Sequence, residues 1–154
     1  MKVFLADEQT EPIETGPLVA MAERVLEAEG LPDESEVAIV LVGEEEMGGY
    51  NERFMKRSGP TDVLAFPVDQ LTPGELPSTV INGQPLSLGD IFICPTVVER
   101  QARELGIELG TELALIITHG LLHLLGYDHQ DPADAEKMSK REQELMTLAG
   151  FSLA

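Results

Sequence analysis

A layered domain of mixed structure, α/β or α+β, is what this sequence predicts, and three observations predict it. Short apolar segments rich in β-branched residues alternate with segments of helical periodicity, and the last third reads as helices alone. A length of 154 residues suits one domain, here spanning residues 1–154, that buries about two-thirds of its unfolded surface. A content of 43% hydrophobic and 25% charged residues fits a compact chain and excludes a disordered one.

Each element has its own signal. Residues 3–5 form a short first strand. Over 17–30, Leu18, Met21, Ala22, Val25 and Leu26 fall on one helix face, and Gly30 with Pro32 ends the helix. The unbroken apolar run at 37–42 predicts a buried strand. Residues 44–57 predict a helix, although Gly48 and Gly49 weaken it. Two further strands are expected at 61–66 and 90–94. Between them Pro67, Pro73, Pro77 and Pro85, with Gly74 and Gly83, mark a long loop or irregular hairpin, a type of segment that often carries function. Helices at 96–105, 111–125 and 132–148 close the chain. Thr111 is the expected N-cap of the second and Asp131, before Pro132, that of the third.

The charge is the unusual figure: 28 acids against 10 bases, net −18. Non-specific affinity for phosphates needs a basic surface, so a general nucleic-acid glue is excluded. The acidity is uneven. Residues 1–46 carry net −11, residues 47–103 net −1 and residues 104–154 net −6, so an anionic partner is expected at the middle third. One cysteine, Cys94, cannot form an internal disulfide, and no apolar run reaches membrane-spanning length. The apolar stretch after Lys2 is short for a signal-peptide core. A cytoplasmic protein without membrane partners is expected.

All three histidines lie within eleven residues: His119-Gly-Leu-Leu-His123-Leu-Leu-Gly-Tyr-Asp-His129. His119 and His123, four apart in a helix, share a face. Gly126 can end that helix in the left-handed conformation and let the chain bring His129 back. Three imidazoles with a fourth position open make the arrangement of a catalytic zinc, although nickel, copper or iron also accept imidazole. A single histidine among leucines is usually a packing residue; three at this spacing favour a metal. The spacing equals that of the metzincin proteases, H-E-x-x-H-x-x-G-x-x-H. Their general-base glutamate is here Gly120, which demotes a peptidase.

The motif at 119–129 resembles the signature of the YbeY family, bacterial metal-dependent endoribonucleases of rRNA maturation. Two further segments agree: Gly-Pro-Thr-Asp-Val-Leu-Ala-Phe-Pro at 59–67 and Leu-Gly-Asp-Ile-Phe-Ile at 88–93. The resemblance spans most of the chain and is weakest over 1–36 and 68–86. It implies an α+β fold in which a small, mostly parallel sheet is packed by helices, with a zincin-like metal helix. It implies one zinc ion (Zn2+) held by His119, His123 and His129. It further implies cleavage of single-stranded rRNA, in 16S rRNA 3′-end maturation and ribosome quality control, with the small ribosomal subunit, its proteins or an assembly GTPase as partners. The arginine that the family commonly places six residues before the threonine of the Pro-Thr pair, thought to face the metal, is Met55 here, and Ala65 stands where serine is frequent.

The remaining candidates carry less. Arg53, Lys56 and Arg57, the densest basic cluster, are either a solvated helix end or contacts to RNA phosphate, with Arg100 and Arg103 in the same neutral third. Neither Arg53 nor Arg57 replaces the missing arginine, because two residues along a helix rotate a side chain by about 200°. Asp128 could orient an imidazole but reads better as a turn residue. Asp131 and Asp134 read as helix caps, Cys94 as a buried apolar residue, and Asp90 as structural or lining the site. The acidic first third is a solvated surface or a contact for a basic protein. The leading expectation is a zinc-dependent, single-strand-directed endoribonuclease. A ribosome-assembly factor with a structural or weakly active metal site, and a metallohydrolase of a non-RNA substrate, are the alternatives.

Overall fold

The β-branched run at 37–42 becomes the interior of a four-stranded sheet. In the computed structural model, which describes residues 1–151, the elements are β1 (Lys2–Glu8), α1 (Gly16–Ala28), β2 (Ser35–Val42), α2 (Glu44–Met55), β3 (Val63–Pro67), β4 (Leu86–Ile93), α3 (Pro95–Leu105), α4 (Leu109–Leu124) and α5 (Pro132–Leu148). The strand order is β1-β2-β4-β3. The first three run parallel and β3 is antiparallel to β4. The α+β fold with a mostly parallel sheet is therefore observed.

The register sorts the side chains. Leu5, Ile39, Ile91 and Ala65 form one row across the sheet, and Phe4, Ala38, Asp90 and Phe66 form the next. The first row belongs to the main core with Leu18, Met21, Val25 and Leu26 of α1 and Ile117, Leu121 and Leu124 of α4. The opposite face is covered only at one end, where Met47 and Tyr50 of α2 meet Val40, Leu64 and Phe92. This explains a difference from the fully buried strand expected at 37–42: Val37, Ile39 and Leu41 are buried, whereas Ala38 and Val40 on the half-covered face are only partly so.

The irregular hairpin expected at 67–88 is observed, whereas the end of α2 and the start of α4 differ from expectation. The 67–88 segment is an antiparallel β3–β4 hairpin joined by an irregular connection at 68–85. Gly89 makes the pairing possible, since a Cβ there would lie 2.2 Å from the Phe66 carbonyl oxygen. Helix α2 stops at Met55, because Lys56 takes the left-handed conformation (φ 58°) and the following Arg57 N–H donates to the Asn51 carbonyl at 3.3 Å. Helix α4 begins two residues before Thr111. Its N-cap is Glu108, whose extended backbone accepts from the Glu112 N–H, so Thr111 does not cap it. Asp131 does cap α5, accepting from the N–H groups of Ala133 at 2.9 Å and Asp134 at 3.1 Å. Among the described residues no single helix is long and apolar enough to cross a membrane.

Candidate metal centre

Helix α4 is buried on most of its surface, so its few polar positions are placed by packing. Gly120 lies against the sheet: a Cβ would stand 3.1 Å from Ile91 Cγ2 and 3.3 Å from Val63 Cγ2. A glutamate at this position would meet β3 and β4, so the helix seats closely on the sheet at the place where metzincins carry their base. His119 and His123 project from an adjoining face. After Leu124 the chain turns at Gly126 (φ 98°), where a Cβ would lie 2.0 Å from the Leu71 carbonyl oxygen. The turn returns His129 to the other two.

The ligand atoms of His119, His123 and His129 all lie within 4.8 Å of one another, so the three side chains can hold a metal ion. Their partners fix which nitrogen is free. His119 Nδ1 faces Glu142 Oε1 of α5 at 2.6 Å, and His123 Nδ1 faces the Tyr127 carbonyl oxygen at 3.1 Å. Carboxylate and carbonyl oxygens accept only, so both Nδ1 atoms donate and both Nε2 atoms carry lone pairs. Those two lone pairs meet at 3.1 Å. With no proton between them the contact is repulsive, and a shared cation relieves it. Nitrogens around one tetrahedral zinc stand roughly 3.3 Å apart, given Zn–N bonds of about 2.0–2.1 Å. The donor set therefore fits a single ion.

Burial, followed by the neighbouring His119 and His129, pushes the His123 imidazole below its ordinary pKa. That favours the neutral imidazole, the form that ligates. A cleft of about 460 Å³ opens on this centre, walled by residues 67–71 on one side and by His123, Tyr127 and Asp128 on the other. The long hairpin connection thus borders the site.

The other candidates separate. Asp128 accepts from the His129 N–H at 2.7 Å and is a turn residue; the oxygen that orients His119 belongs to Glu142, which sequence reasoning missed. Twenty-three residues separate Glu142 from His119, and no local spacing could mark it. Arg100 pairs with Glu44, and Arg103 with Glu99 at 2.8 Å. Arg53, Lys56 and Arg57 are exposed and make no ion pair among the described residues. Arg57 lies beyond the helix end, so the helical rotation expected of it does not apply. Cys94 is buried, which pushes its thiol pKa up. Asp90 is exposed on the half-covered sheet face. Met55 is 48% exposed.

Together these features describe an α+β protein that gathers three histidines, from one helix and the turn after it, into a centre able to hold one metal ion. The family described as Endoribonuclease YbeY matches residues 5–150. Curated relatives with that name include proteins of Thermobifida fusca, 40% identical over 98% of this chain and 94% of the relative, and Mycolicibacterium smegmatis, 38% identical over 95% and 82%. The solution structure of TM1509 from Thermotoga maritima superimposes with a TM-score of 0.59 at 29% identity, covering 96% of this chain and 91% of that one. The chain belongs to the endoribonuclease YbeY family.

Proposed function

We propose that this protein is a zinc-dependent endoribonuclease of single-stranded RNA, acting in the cytoplasm in 16S rRNA 3′-end maturation and ribosome quality control, with the small ribosomal subunit and its proteins or an assembly GTPase as partners. The observation that carries the metal part is the pair of Nε2 lone pairs turned towards each other by Glu142 and the Tyr127 carbonyl. His119, His123 and His129 would hold the ion. Zinc polarises a phosphoryl oxygen and lowers the pKa of bound water to about 7, chemistry that needs no carboxylate at position 120. The protein's own contributions are the tautomers of two histidines, the burial that favours neutral His123, and a cleft of about 460 Å³ beside it.

A second reading is favoured by Met55, half-exposed where the family commonly has an arginine: an assembly factor whose metal site is structural or weakly active. One experiment separates the two. The purified protein should carry about one zinc per chain and cut a single-stranded oligoribonucleotide. Chelator and His119→Ala should each abolish cutting, and His123→Ala should lose the metal. RNA left intact by zinc-loaded protein that still co-sediments with small subunits would establish the assembly factor instead.

A further inference from the structure

The outer sheet face, together with the helix α2 that covers one end of it, carries an uneven share of the chain's aromatic side chains. Of seven Phe and Tyr residues, five lie on this face or on the helix above it: Phe4, Tyr50, Phe54, Phe66 and Phe92. Four form one connected group. The Tyr50 ring lies tilted against Phe92 at 4.9 Å, Phe92 meets Phe66 at 5.7 Å, and Phe66 meets Phe54 at 5.3 Å. A core aromatic group would be shielded, yet Phe54 is 52% exposed and Phe66 is only partly buried.

The charge beside this group is opposite to that of the molecule. Arg53, Lys56 and Arg57 stand at its edge, and the Arg53 guanidinium lies 5.6 Å from the Phe54 ring centroid. Lys56 holds a left-handed backbone (φ 58°) that a glycine would adopt more easily. Asp90, opposite Phe66 in the register, disfavours phosphate on the sheet face itself, and Glu52 is an acid on α2. The strand carrying Phe66 runs on through Pro67 into residues 67–71, the wall of the histidine cleft. Exposed rings and cations free of ion pairs among the described residues suit one ligand chemistry, a flexible polyanion with planar groups.

We propose that the outer face of β3 and β4, with the C-terminal end of α2, is the platform that holds single-stranded RNA, bases stacking on Phe54 and Phe66 while Arg53, Lys56 and Arg57 take the phosphates. The proposal rests on the ribonuclease reading and names where its substrate lies. Stacking on an aromatic ring is sequence-tolerant, because every base has a π-face.

The chain contains no tryptophan, so Phe54→Trp supplies a single reporter. With the full-length protein, a 2′-O-methyl oligouridylate 12-mer should quench that emission, and an abasic oligomer of the same backbone should not. Phe54→Ala should weaken binding of the 12-mer roughly 5- to 150-fold, with the unfolding temperature and the zinc content of the parent retained. Unchanged affinity in Phe54→Ala, or equal quenching by the abasic oligomer, overturns the platform. Quenching by ribosomal proteins alone would make this face a protein interface and likewise overturn it. The ribonuclease reading is scored apart: zinc-loaded parent that binds the unmodified 12-mer through Phe54 but leaves it intact removes that reading and keeps the platform.

Discussion

Glu142 decides which nitrogen His119 can offer. By accepting from Nδ1 it leaves Nε2 turned towards His123. Losing such a partner typically costs 10- to 100-fold in metal affinity. Glu142→Ala should therefore weaken zinc binding by about that factor in a competition titration, while Glu142→Gln, whose amide oxygen still accepts, should recover much of it. The histidines were legible because their spacing is local. Glu142 was not, because the approach of α5 to α4 sets its position through contacts such as Thr118 with Met146. Glu112 is a different residue-scale feature: 4% exposed, with Oε2 buried and unpartnered. Burial, and secondarily the charge of Asp62, raises its pKa above the ordinary value of 4.5. The folded state then binds the proton more tightly than the unfolded chain, so Glu112 contributes stability that is full below pH 4.5 and is lost as pH rises through the higher folded value. Glu112→Gln should leave the unfolding temperature unchanged in acid and raise it at neutral pH; an equal change at both would remove the electrostatic account.

At the scale of elements, the histidine turn and the hairpin connection are one construction. Gly126 lets the backbone of residue 71 pass where any side chain would collide, and it does so at a positive φ. Gly126→Ala combines a steric clash with left-handed strain, so its unfolding free energy should fall by more than about 1 kcal/mol. Urea denaturation checks this, with Gly49→Ala as the control, since its added Cβ meets nothing within 4 Å. Helix interiors and β-branched strands were legible from periodicity. The start of α4 was not, because Glu108 caps it through the backbone alone and Thr111, the better side chain, falls inside the first turn. The end of α2 was not, because a lysine there takes a conformation that sequence rules assign to glycine.

Across the whole molecule the charge reads differently once it is placed on the fold. Net −18 does not bar RNA: at the end of α2 three cations close together in the sequence are free of ion pairs among the described residues. Three phosphate contacts predict a log–log salt slope of roughly −2 for a single-stranded ligand, falling by about 0.7 for each cation removed. A slope twice as steep would place phosphates elsewhere. The neutral middle third was legible by counting, but the aromatic group was not. Phe54, Phe66 and Phe92 come from three elements: the sheet register sets Phe66 beside Phe92, and the packing of α2 on the sheet adds Phe54. The histidines show a division of a different kind. Two sit on a rigid, largely buried helix, whereas His129 stands exposed on the turn that follows. A centre built this way is a clasp with two fixed jaws and one hinged one. Because Kd is the ratio of off- and on-rates, a turn that opens more easily would shorten an ion's stay and weaken its hold together.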